Sequence, residues 1–288
     1  MMIKPEDISI GITVFIDILG FGNRIAKIET VTEIQSIYKE LWHVQKQFYY
    51  KPTEKIISHI NKLYNKKVLA FSDCLVIHIP LKSKATQSEG DFDPLMSEFL
   101  SLAYSQAACV LDSIFLRGGI DIGWWYSDQD IIISKSLLQA YHLEQSISVP
   151  VIAITNDVFE YFSNHPHRKW YAPEVDPLSI FRKGIVDNKE IIFLDYMTIC
   201  LEGLDWRYSK EQVERYNNAN KEERQRIINE GYQYNIDYWL KKHGNNIRNA
   251  YNATENDKIK SKYSWLATYH NNIAELFTDN EEAFIELK

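Results

Sequence analysis

Apolar residues in the first 200 positions fall into short blocks whose spacing alternates between two patterns. VFIDILGF (14–21) is apolar apart from Asp17 and one glycine and reads as a strand buried on both faces. NRIAKIETVTEIQSIYKELWHVQKQF (23–48) places Ile34, Ile37, Tyr38, Leu41, Val44 and Phe48 three and four residues apart, which predicts an amphipathic helix packed along one side. KKVLAF and CLVIHIP are apolar runs parted only by Ser72-Asp73, a β-hairpin with a polar tip. KSKATQSEGDFD (82–93) has loop composition, and a second helix is expected from about Pro94 to Ser113. IFLRGGIDIG then reads as another buried strand.

These blocks spell β-α-β-β-α-β, the ferredoxin-like order of an α+β fold: an antiparallel sheet with both helices on one face. KSLLQAYHLEQSI (135–147) predicts a short helix, VPVIAIT (149–155) a strand, and residues 180–197 a hairpin turning at Asp187-Asn188. From about Leu201 the texture becomes polar, helical and aromatic-rich, so residues 201–288 are expected to form a helical appendage to a domain of residues 1–200.

Composition narrows the chemistry. With 288 residues and 45% hydrophobic content the chain can bury a substantial core. A net charge of −7 argues against nonspecific nucleic-acid binding, which draws its affinity from clustered Lys and Arg. No apolar run approaches the roughly 20 residues of a membrane helix. Cys74, Cys109 and Cys200 show no metal-like spacing, and no charged-then-apolar segment opens the chain; the expected setting is reducing and cytoplasmic.

Against that background Asp17 stands out, because an ionised group in a buried strand costs several kcal/mol unless compensated. In a ferredoxin-like sheet the first strand lies beside the hairpin, so Asp17 and Asp73 converge, and two close carboxylates call for a divalent cation. Ile18 to Asn23 then run into a helix, where backbone N–H groups would cradle a phosphate and Gly20 and Gly22 would permit close approach. Carboxylates, metal and phosphate cradle together describe two-metal phosphoryl chemistry with Mg²⁺ or Mn²⁺. Taken singly, Asp73 is also an ordinary turn residue and Asp17 an ordinary helix cap.

FIDILGF, AFSDCLVI, LRGGIDIG and AYHLEQSISVPVIAIT, in this order over roughly residues 12–197, resemble the class III nucleotidyl cyclases. That resemblance implies that Asp17 and Asp73 hold two divalent ions with help from the Ile18 carbonyl. Gly20, Phe21, Gly22, Asn23 and Arg117 would bind the triphosphate, and a homodimer would share its active sites. Residues 1–200 would then be the catalytic domain.

Two departures matter. The purine-reading lysine of that family falls at Leu69, and its transition-state asparagine and arginine fall at Leu138 and His142. His142 could replace the arginine as an imidazolium, or be a surface histidine. Loss of the purine contact, together with a C-terminal segment containing KYSWLATYHN, is similar to the bacterial Pycsar pyrimidine cyclases, whose cyclic nucleotide acts on a separate effector during phage infection. This implies UTP as first substrate and CTP as second, with a catalytically dead nucleotide-binding scaffold as the non-enzymatic rival. Leu69 would be a buried apolar wall, Tyr64 would stack on the base or lie on a strand surface, and Asp130 lies near a second base-reading position. A diguanylate-cyclase relative is disfavoured because FSDC lacks the glycines of that hairpin. Lys183 and Lys189 flank the last hairpin, HPH (165–167) reads as a turn, and the aromatic residues of 206–269 read as helix packing and dimer contacts.

Overall fold

The computed structural model describes residues 3–48, 63–128 and 131–287 and separates into two compact units. The first comprises residues 1–109 and 114–195, the second residues 110–113 and 196–288.

The first unit is built on a mixed, mainly antiparallel sheet. Its strands are β1 (Ser9–Ile18), β2 (Lys67–Phe71), β3 (Cys74–Pro80), β4 (Leu116–Ser127), β5 (Ile132–Ser134), β6 (Ile152–Ile154), β7 (Phe181–Val186) and β8 (Lys189–Leu194). They run in the order β2-β3-β1-β4-β6-β8-β7, with β5 on β4, and the β4–β6 pair is parallel. The segment β4-β1-β3-β2 is the ferredoxin-like order expected from the hydrophobic blocks. Alternation along β1 sends Ile12, Val14, Ile16 and Ile18 to one face, all buried, and Thr13, Phe15 and Asp17 to the other. From Gly11 to Ile18 strand β1 is therefore covered on both faces except at Asp17, which is half-buried.

The β2–β3 connection is the expected two-residue turn: Phe71 pairs with Cys74, and Ser72 takes the left-handed φ of 54° that lets the chain reverse. At the β7–β8 turn Asp187 and Asn188 both have positive φ, the conformation for which short polar residues are suited.

The helices depart from the sequence reading in several places. The single helix expected over 23–48 is two, α1 (Phe21–Ile25) and α2 (Val31–Phe48). On α2 only Val44 and Phe48 are buried while Ile34 and Tyr38 face outward, so periodicity located the apolar stripe without its cover. Residues 84–89, expected as loop, form α3 (Lys84–Glu89), because Ser83 caps it by accepting from the Thr86 N–H while the Thr86 hydroxyl accepts from the Ser83 N–H. Helix α4 (Phe92–Leu111) begins two residues earlier than expected, and α6 (Asn156–Ser163) was missing from the expectation.

Helix α5 (Lys135–Ser146) lies against β4 and β1 on the face carrying Phe15, where Phe15, Val76, Trp125 and Ala140 form one apolar cluster. The approach is close because Gly119 lacks a side chain: a Cβ there would stand 2.0 Å from the Ala140 carbonyl oxygen. Beside the cluster runs a buried polar chain, in which Thr13 Oγ1 is 2.7 Å from Ser136 Oγ and 3.1 Å from His78 Nδ1. Burial, and then Lys67, push His78 down to about 3, so it stays neutral there.

The second unit is helical: α7 (Tyr196–Glu202), α8 (Lys210–Asn218), α9 (Lys221–Asn252) and α10 (Asp257–Phe277). Its aromatic residues pack on one another, as in Tyr208 on Tyr234 and Trp239 on His243, in keeping with the expected packing role. Among the described residues no helix is long and apolar enough to cross a membrane.

Candidate active site

Asp17 is the penultimate residue of β1 and Asp73 the second residue of the β2–β3 turn, so strand adjacency alone brings them together. Their carboxylates share a hydrogen bond, and one ligand atom each from Asp17, Asp73 and Cys74 lies within 4.8 Å of the others. The Cys74 thiol points at Asp17 Oδ1 from 4.0 Å. Register places Arg117 of β4 directly opposite Asp17, with Nη2 3.5 Å from Asp17 Oδ2.

The electrostatics are unbalanced. Burial first, then the hydrogen bond and charge of Asp73 and the charge of Glu144, hold Asp17 up at about 7, against the pull of Arg117. Burial foremost, then the charges of Asp73, Asp17 and Glu144, push the Cys74 thiol up to about 12. Three carboxylates face one guanidinium here. Hard oxygen donors converging with excess negative charge fit a divalent cation, so Asp17 and Asp73 are the residues that would hold Mg²⁺ or Mn²⁺. The described residues bring together no other such group of three potential ligands.

Glu144 was missed by the sequence reading. It is wholly buried at the end of α5, forms an ion pair with Arg117, and accepts a hydrogen bond from Gln145 Nε2 at 2.6 Å. A signal existed: Ser136, Ala140 and Glu144, four residues apart, are the buried line of α5, and a carboxylate on such a line requires a partner.

The remaining candidates are distributed as follows. Gly20 starts α1 with a φ of 79°, Phe21 is buried, and a Cβ at Gly20 or Gly22 would meet nothing within 4 Å; Asn23 is exposed in α1. The Ile18 side chain is buried and its backbone pairs with Leu116. His142 and Leu138 are exposed on α5, and Tyr64 is half-buried ahead of β2. Leu69 corrects an expectation: it is 37% exposed rather than a buried wall, because edge strand β2 lies beyond the cover of α5. Asp130 lies outside the described residues. Lys183 pairs with Glu190 at 3.4 Å, Lys189 is exposed, and His165 caps a short 3₁₀ turn with Nε2 3.0 Å from Asp91.

No protein-family model matches the sequence, and no curated protein does. Among solved structures, the chain is similar to the monomeric guanylyl cyclase domain of the RhoGC fusion protein from the aquatic fungus Blastocladiella emersonii. Identity is 14%, covering 65% of this chain and 96% of that one, with a TM-score of 0.42. It is similar also to a class III adenylyl cyclase-like ATP-binding protein from Pseudomonas aeruginosa, at 13% identity over 67% of this chain and 40% of that one, TM-score 0.42. A third is the guanylate cyclase domain of RhGC from Catenaria anguillulae in complex with GTP, at 12% identity over 65% and 95%, TM-score 0.34.

Proposed function

We propose that the protein is a metal-dependent nucleotide cyclase that converts a pyrimidine nucleoside triphosphate, UTP before CTP, into the 3′,5′-cyclic monophosphate and pyrophosphate. The observation that carries this reading is the convergence of Asp17 and Asp73 from strand β1 and the β2–β3 turn, with Arg117 opposite. Divalent ions on these carboxylates would supply charge stabilisation to the attacking and leaving oxygens. Arg117 serves the triphosphate: its Nε is buried and makes no hydrogen bond among the described residues, a donor that an anionic ligand would satisfy. The open backbone at Gly20 and Gly22 gives phosphate oxygens access to the start of α1.

The chain acts as a homodimer in this reading. Leu69, Phe71, Leu138 and Tyr141 are exposed apolar residues of β2 and α5, a surface suited to a second copy. Exposed Leu138 and His142 would enter the partner's site, His142 supplying the positive charge there. The pyrimidine preference rests on Leu69 standing where resemblance expects a purine-reading lysine, and Tyr64 offers a hydroxyl to the base. In biological terms the product would be a second messenger acting on an effector protein in antiphage defence.

Incubation with equal concentrations of all four ribonucleoside triphosphates and Mn²⁺, read by mass spectrometry, tests the reading. Cyclic UMP or cyclic CMP should exceed the purine products at least about tenfold, equivalent to roughly 1.4 kcal/mol in transition-state binding. Cyclic AMP or cyclic GMP as main product would overturn the pyrimidine assignment, and the absence of any cyclic product would favour the scaffold. An inactive Asp17→Asn chain mixed with a His142→Ala chain should regain partial turnover if sites are shared, and a turning-over monomer in sedimentation would sink the dimer.

A further inference from the structure

Glu144 is the buried charged group near the site that the proposed chemistry leaves unused. It reaches Arg117 from α5, whereas the other contacts of that guanidinium are Asp17 from β1 and the Ile147 carbonyl, which accepts from Nη1 at 3.2 Å. These contacts differ in what happens to them when a divalent cation is present. A cation on Asp17 withdraws that carboxylate's charge from Arg117 and repels the guanidinium. The Ile147 carbonyl is a neutral acceptor and holds it only weakly by comparison. Glu144 is wholly buried, and of the carboxylates around Arg117 it is the one outside the proposed cation set.

We infer that Glu144 is a positioning residue that anchors Arg117 for triphosphate binding once metal occupies Asp17 and Asp73. The inference rests on the triphosphate reading above and deepens it. Without the Glu144 charge, Arg117 is left to settle on Asp17, the nearest remaining carboxylate at 3.5 Å. There it competes with the cation and turns away from the phosphates. Helix α5 thus acts on the site of its own chain through its sheet-facing line, while its exposed residues Leu138 and His142 belong to the opposite surface.

The test uses inorganic tripolyphosphate with Mn²⁺ as ligand, so that it depends neither on the base nor on turnover. Calorimetry on the full chain should show that Glu144→Gln, isosteric and still able to accept from Gln145, weakens binding at least tenfold in protein that remains folded at the assay temperature. In an Arg117→Gln background the same substitution should change binding less than twofold, because its effect runs through the guanidinium. Should Glu144→Gln fail to fold, Glu144→Asp carries the test: a carboxylate withdrawn by one methylene should cost threefold or more. Wild-type affinity in a folded Glu144 variant, or an undiminished effect without Arg117, overturns the anchor and leaves the cyclase reading standing. A wild-type protein that binds no tripolyphosphate at all overturns both.

Discussion

Asp17 and Asp73 are placed by different means, and the difference shapes what their removal does. Asp17 is held in a strand whose other side chains are mostly buried, while Asp73 hangs on a turn. Asp73→Asn should therefore leave the fold intact and lower turnover at least about a hundredfold, since the loss is of metal charge worth several kcal/mol in the transition state. Near-normal rates at saturating Mn²⁺ would contradict the metal role. Asp17→Asn should be as inactive, yet its melting temperature without metal should equal or exceed that of the parent, because a half-buried carboxylate pressed by two others has been relieved. Calorimetry with and without Mn²⁺ separates the two effects. Asp17 and Asp73 were legible in the sequence because a charge in an apolar strand and a polar hairpin tip are visible without coordinates. Glu144 was not: its meaning depends on which face of α5 meets the sheet, and a near-neutral helix pattern does not state that.

Among the elements, α5 and β4 approach closely at Gly119. Gly119→Ala would drive a methyl into the Ala140 carbonyl, a backbone atom that cannot rotate away. The expected cost is about 1–3 kcal/mol or more by urea denaturation, with helix α5 displaced and the Arg117–Glu144 pair loosened as it moves. A variant as stable as its parent would mean that α5 does not sit this close. The hairpins were readable from Ser72-Asp73 and Asp187-Asn188 because short polar pairs between apolar runs fix a turn. The break between α1 and α2 has no glycine or proline in Lys27 to Thr30; its mark is the Thr30–Glu33 capping box, in which the Thr30 hydroxyl accepts from the Glu33 N–H and the Glu33 carboxylate from the Thr30 N–H, a signal the periodicity reading passed over. Helix α3 hid behind loop-like composition, since its evidence is a cap whose reciprocal bonds appear only once the backbone has turned.

At the scale of the molecule, acid should act through buried neutral histidines, His78 in the first unit and a chain of two in the second. There Tyr196 Oη lies 2.8 Å from His243 Nε2, His243 Nδ1 lies 2.8 Å from His270 Nδ1, and His270 Nε2 lies 2.7 Å from the Ala283 carbonyl. The carbonyl can only accept, so His270 carries its proton on Nε2, His243 donates from Nδ1, and the tyrosine hydroxyl donates to His243. Both rings are neutral and buried; burial, then His270, pushes His243 well below its usual range, and burial holds His270 near 4, with Arg248 adding to the depression. Unfolding frees both to take protons near pH 6.5, so stability is full above that pH and falls as pH drops toward 4, by on the order of 3 kcal/mol from His270. Urea midpoints at pH 7.5, 6 and 4.5 should trace this slope, and replacing His243 and His270 by Phe and Leu should reduce it whatever the absolute stability, His78 supplying what remains. A slope unaltered by that replacement would assign acid sensitivity to other groups. The helical character of this region was visible in its polar periodicity, whereas the histidine chain depends on pairing α9 with α10, which no local pattern encodes.

The register of β1 has a consequence during synthesis. One edge of β1 is met by β3, finished at Pro80, but the other waits for β4, which ends at Ser127. At roughly 5–20 residues per second those intervening residues take about 2–10 s to emerge, and throughout that interval an almost wholly apolar strand has an unpaired edge. Asp17 is its one charged residue. The carboxylate proposed to hold metal in the finished protein thus also marks the nascent strand as a poor template for another chain, and an apolar residue at position 17 should send newly made protein into the insoluble fraction before any question of catalysis arises.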